Sequence, residues 1–273
     1  MNHLKNSTIT RQLIQMIAPA VLLFSILLTP NIAVNAASNG TQSFGADEPD
    51  LIQGKELFIK ARRMSYNAEA SYDAVKDILN SSSKCFNKLP DGYQKYYWLA
   101  QTEFERGEIA ESSGEKRQAA QSFTESGNLA RKALSDNPKF SDANRLEADS
   151  IMRLMSYNGA MYTMSQFPKV IKLLNNAISF DAYNYTAMNS LGVYYINAPA
   201  IGGGSVPKGI QNLQKALESK DEFDDFIANV WLGKAYQKKK NNNEAVKYIK
   251  KALEIYPNST WAKGLLKEIE KRQ

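Results

Sequence analysis

The stretch from Ile227 to Pro257, IANVWLGKAYQKKKNNNEAVKYIKKALEIYP, decides the fold. Leu232, Gly233 and Tyr236 recur at three- to four-residue spacing, which puts them on one face of a helix. Gly233 carries no side chain, so a partner helix can come close at that point. Asn241, Asn242 and Asn243 favour a tight turn. Ala245, Ile249, Ala252, Leu253 and Tyr256 then form the apolar stripe of a second helix, with small Ala245 and Ala252 where the two helices cross. Pro257 ends that helix and opens the next unit. A helix pair of this kind cannot bury its apolar face alone, so copies must stack.

Upstream, the same order appears as Leu191, Gly192, Tyr195, Gly209, Leu213 and Ala216. The spacing from Gly233 to Ala245 is 12 residues, whereas that from Gly192 to Gly209 is 17. The extra residues fall in the turn 197–208, which holds Pro199, Ile201, Gly202, Gly203 and Gly204. Lengthening a turn costs well under about 1 kcal/mol of closure entropy. Pro199, Ala200, Ile201 and Val206 are apolar enough to pack, and Pro207 suits the first turn of a helix. A shaped turn packing over neighbouring helices is the main reading of this segment, with a partner- or ligand-contacting loop as the other. The Gly-rich run is not a phosphate cradle of the Walker type, because Lys208 is followed by Gly209 and no strand precedes it.

These residues closely resemble the tetratricopeptide repeat. One departure is Asn229, at a position where the motif carries a large aromatic. The resemblance implies an all-α chain: an α-solenoid of stacked antiparallel helix pairs, a TPR-like superhelix, over 51–273, clearest in 185–219 and 227–257. Earlier helices are expected over Leu51 to Met64, Asn67 to Phe86, Tyr93 to Ser112, Gln118 to Leu134, Phe140 to Tyr162 and Pro168 to Phe180, with a closing helix over Leu265 to Arg272. Ala133, Ala177, Ala216 and Ala252 mark the unit ends at intervals of 44, 39 and 36 residues. The ideal unit is about 34, so the stack is irregular.

The first 36 residues read as a secretory signal. Lys5 and Arg11 are its ionised residues, Leu13 to Leu28 is mostly apolar, and Val34-Asn35-Ala36 precedes the expected cut. The apolar run falls short of the roughly 20 residues a spanning helix needs. The expected location is therefore the periplasm or outside the cell, with an uncleaved N-terminal membrane anchor as the alternative. Residues 37–50 are rich in Ser, Asn, Gly and Asp and are expected to be a disordered leader. Without the signal the chain holds 32 basic and 28 acidic residues, a net +4. Its densest basic cluster, Lys238 to Lys240 with Lys247, Lys250 and Lys251, reads as a solvated face. It allows peripheral association with the envelope. Nucleic-acid binding would need interleaved Arg and aromatics, and is not expected.

Chemistry is restricted by what the chain lacks. His3 is the only histidine and lies in the signal; Cys85 is the only cysteine. Histidine bases, Ser–His or Cys–His pairs, disulfides and most zinc sites are thereby removed. No enzyme activity, cofactor or metal is expected. First helices of tetratricopeptide units line the concave face. The residues there one turn from the core stripe are Arg145, Asp149, Met152, Asn189, Val193, Val230, Lys234 and Gln237. They are the candidates for binding a protein or peptide partner. They do not form the paired Lys and Asn pattern of units that clamp a C-terminal carboxylate. The last two units carry a specific resemblance to exported bacterial tetratricopeptide-repeat proteins. More distantly, Tyr194-Tyr195, Pro199, Gly202-Gly203 and Lys215-Ala216 resemble the T component of TRAP-type solute transporters. That resemblance implies a solute-binding partner and an apolar small ligand beside the Gly202 loop.

Overall fold

The structure is a computed structural model and describes residues 49–271. The expected signal over 1–36 and most of the leader over 37–50 lie outside these residues. Pro49 and Asp50, assigned to the leader, already form the first turn of a helix. Among the described residues eleven α-helices follow in order: α1 Pro49–Tyr66, α2 Tyr72–Asn87, α3 Tyr93–Ser112, α4 Lys116–Asp136, α5 Ser141–Leu154, α6 Gly159–Phe180, α7 Tyr185–Asn197, α8 Val206–Ala216, α9 Glu222–Lys238, α10 Asn242–Ile255 and α11 Thr260–Glu270. Among the described residues there is no strand. The all-α solenoid expected from the sequence is the observed architecture. Five antiparallel pairs, α1/α2 to α9/α10, stack in chain order, and α11 closes the stack.

Within a pair, close approach at a glycine sets the packing. A Cβ on Gly233 would lie 2.4 Å from Ile249, and one on Gly192 would lie 2.7 Å from Leu213. The first two pairs use the same device, with Gly54 against Phe86 and Gly107 against Phe123. The ring or branched chain of the second helix thus fills the space that a side chain on the first would need. Buried Phe58 and Leu79, Phe123, Leu174, Leu213, and Ile249 with Ala252 continue the core from pair to pair. At roughly 25 cal/mol per Å2 of apolar area, each of the Phe, Leu and Ile side chains contributes about 1.5–3 kcal/mol.

Three boundaries differ from the expectation. The third pair was expected to turn before Pro168; instead α5 ends at Leu154, and α6 runs from Gly159 through Pro168 to Phe180. The turn is made by 155–158 with Gly159 at φ +78, and Asn158-Gly159 is itself a turn signal. Pro168 is exposed and α6 tolerates it. The 22 residues of α6 therefore outrun the 14 of α5. Second, α2 starts at Tyr72, capped by Ser71, rather than at Asn67. Helix α9 opens at Glu222, among the acids Asp221, Glu222, Asp224 and Asp225. The side chain of Asp221 accepts from the backbone N–H of Phe223 and Asp224 and caps it. Third, α11 starts at Thr260, capped by Ser259, rather than at Leu265.

The pairs place their two kinds of turn on opposite edges of the stack. Turns within pairs share one edge, where ties run between neighbours: the Tyr72 hydroxyl donates to Glu115, Tyr157 to Glu111, and Lys238 Nζ to the carbonyl of Ile196. Turns between pairs share the other, where Asn184 donates to Ser141 and Asp142, and Thr186 to Asp224. The stack then curls until its ends meet. Tyr66, at the first edge, packs edge-on against Phe223 and Phe226 at the start of α9, with ring centroids 4.9 and 5.9 Å away. Asn67 Oδ1 accepts from the backbone N–H of Asn258 at 2.8 Å, across 191 residues. The within-pair edge of pair one thus rests on the between-pair edge of pair five, which is one superhelical turn.

Candidate partner-binding face

The inner helices α1, α3, α5, α7 and α9 carry the residues singled out in the sequence, and the structure divides them into two groups. Arg145, Asp149, Asn189 and Val230 were expected to face a groove; they are buried in the walls between neighbours. Arg145 Nη1 donates to Asp149 Oδ2 at 3.0 Å, and its other terminal nitrogen reaches the Tyr97 hydroxyl of α3. Burial raises the Asp149 carboxyl above the usual range, although Arg145 opposes this. Burial likewise pushes the Tyr97 hydroxyl up to about 12. Asn189 Nδ2 donates to the backbone oxygen of Asp224 at 3.1 Å, tying α7 to α9. Val230 is fully buried in the α9–α11 core. One turn from a stripe is an outward position on an isolated pair, but the next inner helix covers it in the stack.

Met152, Val193, Lys234 and Gln237 remain half-exposed on three successive inner helices. Met152 leans on the core of the third and fourth pairs. Lys234 Nζ sits 3.9 Å from the Trp231 ring centre. Its pKa is held below the ordinary lysine value by burial first, then by the charges of Lys238 and Arg153. Gln237 donates to Glu268 on α11 at 3.2 Å.

The sequence reading missed a polar row on the inner side of pairs one to three. Arg62 pairs with Glu105 at 3.1 Å, Tyr66 donates to Glu108 at 2.8 Å, and Arg153 meets Glu108 at 2.7 Å and also Glu111. Burial, then Glu108, raises the Tyr66 hydroxyl well above its usual value. The row was marked by Gln101, Glu105 and Glu108 at spacings of four and three on one face of α3. Several buried atoms of the inner helices, Gln101 Oε1, Glu105 Oε1, Arg145 Nε, Arg153 Nε and Asn189 Oδ1, have no hydrogen-bond partner within the protein. Buried polar atoms normally do.

The 197–208 loop is packed on α6. The Tyr194 hydroxyl donates to the Gly202 carbonyl, and a Cβ on Gly202 would lie 2.9 Å from the Phe167 ring. Gly203 has φ +80, and a Cβ on Gly204 would fall 1.8 Å from the Ala198 oxygen, so both must be glycine. Pro199 and Ile201 are exposed. Phe167 occupies the place beside Gly202 where an apolar ligand was expected, so the geometry does not favour the transporter reading. Among the described residues, no three His, Cys, Asp or Glu side chains stand together to hold a metal, and Cys85 is buried.

The tetratricopeptide-repeat family model matches residues 227–259. No curated protein sequence matches this chain. Among solved structures, a thermophilic TPR protein of Thermus thermophilus is similar at 16% identity and a TM-score of 0.56, covering 81% of this chain and 97% of its own. YrrB, a TPR protein with an unusual peptide-binding site, aligns at 14% identity and a TM-score of 0.40, covering 81% of this chain and 98% of its own. MamA from Desulfovibrio magneticus RS-1 aligns at 15% and 0.38, covering 76% and 97%. These last two scores are too low to bear on the fold. The stacked pairs and the Thermus likeness together show a tetratricopeptide-like fold, in which the family model matches the one repeat at 227–259.

Proposed function

We propose that the protein is a non-enzymatic interaction scaffold that binds a protein or peptide partner on its inner face in the cell envelope. The carrying observation is the half-exposed row Met152, Val193, Lys234 and Gln237 across three successive inner helices. The row offers apolar contact, one desolvated ammonium and one amide, a mixture suited to side chains and backbone of a polypeptide. The envelope location rests on the N-terminal signal alone. The test is affinity capture from envelope extract with the wild type and with Lys234→Glu. A partner retained by the wild type and reduced at least about fivefold by the variant, roughly 1 kcal/mol, supports the reading. Equal capture by both removes Lys234 from the binding face.

A further inference from the structure

The within-pair edge of pairs three to five forms a free rim, because the curl covers the corresponding edge of pair one with pair five. Three large apolar side chains stand out on this rim. Met161 is 88% exposed, Met164 55% and Ile201 79%. They belong to one patch of structure. The first turn of α6 projects beyond α5, because Thr163 already lies level with the Met155 carbonyl, and the Ile201 turn is seated on α6 through Phe167 and Ile171. Lys208, Lys239 and Lys240 flank them, all exposed, at the start of α8 and in the α9–α10 turn. Acids are few on this rim, and Glu111 at its margin is taken by Tyr157 and Arg153. Between residues 150 and 217 the single acidic residue is Asp181, which lies in a between-pair turn on the opposite edge. The first acid past the lysines, Glu244, is paired with Lys247 at 3.2 Å.

We infer that this rim docks on an anionic lipid surface, with Met161, Met164 and Ile201 entering the interface and Lys208, Lys239 and Lys240 resting on the headgroups. Apolar tips of this kind gain by entering the headgroup boundary, and lysines beside them add electrostatic attraction where the lipid is anionic. An acidic protein would satisfy the lysines equally well. It would not account for three apolar tips projecting singly, where a protein interface wants a packed pocket.

The test uses the full chain with a polarity-sensitive fluorophore on Met161→Cys, and the wild type, whose Cys85 is buried, as labelling control. Vesicles are phosphatidylcholine alone, or phosphatidylcholine with phosphatidylglycerol. The expected result is a blue shift on the phosphatidylglycerol vesicles only, reversed by high salt. Partition should fall at least about tenfold with Lys208→Glu, Lys239→Glu and Lys240→Glu combined. Met164→Glu with Ile201→Glu should abolish the shift while circular dichroism stays unchanged, since both side chains are exposed. Insertion of the N-terminal apolar run alone would leave the probe at 161 in water and overturn the inference. So would an equal shift on neutral vesicles, or capture of an acidic protein by the rim with no shift on anionic ones.

Discussion

Gly233 and Gly264 show how one residue type carries opposite consequences. A Cβ on Gly233 would meet Ile249 at 2.4 Å and the Ala245 carbonyl at 3.2 Å, whereas one on Gly264 of α11 would meet nothing within 4 Å. Gly233→Ala should therefore cost about 1–3 kcal/mol by overpacking, outweighing its helix-propensity gain of about 1 kcal/mol. Gly264→Ala should keep that gain. Urea midpoints of the two variants should move in opposite directions; a stabilised Gly233→Ala would mean that α9 and α10 are not in close contact. Asp224 adds a pH effect. It accepts hydrogen bonds from Thr186, Ser219 and Asn189, and among the described residues no cation forms an ion pair with it. Burial, then Asp221, raises its pKa. A raised carboxyl makes the folded state bind more protons than the unfolded one, so its contribution to stability falls as pH rises from about 4, the unfolded value, through the native pKa. Asp224→Asn should flatten that part of the stability–pH curve. An unchanged slope would show that Asp224 titrates normally.

At the scale of elements, legibility followed how local the signal was. The α9–α10 pair could be read directly, because Gly233, Ala245 and Ile249 meet within 20 residues of sequence. The α5–α6 boundary was misread because Pro168 looked like a helix start and the Asn158-Gly159 turn was passed over. A proline inside a helix loses one backbone hydrogen bond and crowds the preceding turn. Pro168 is exposed, so no packing is lost when its ring is removed. Pro168→Ala should stabilise the protein by about 1–3 kcal/mol, read as a higher urea midpoint. A lower midpoint would mean that the ring shapes α6 for its neighbours. Four of the eight groove candidates, Arg145, Asp149, Asn189 and Val230, are buried for a similar reason. Arg145 and Asn189 have the right helical phase, but their burial depends on the next pair, which periodicity within one helix cannot reveal.

For the whole molecule, the decisive contacts are the least visible in the sequence. Tyr66 against Phe223 and Asn67 against Asn258 join segments more than 150 residues apart, and no repeat pattern announces them. They close the stack into one superhelical turn, which separates an inner face, an outer face and a free rim. Partner binding on the inner face is the central claim, and site-specific photo-crosslinking tests it most directly. A benzophenone amino acid replaces Val193, half-exposed on inner helix α7, or Lys172, exposed on outer helix α6. In envelope extract, the expected result is a discrete crosslinked partner at position 193 and none at 172. A partner crosslinked from 172 and absent from 193 would contradict it.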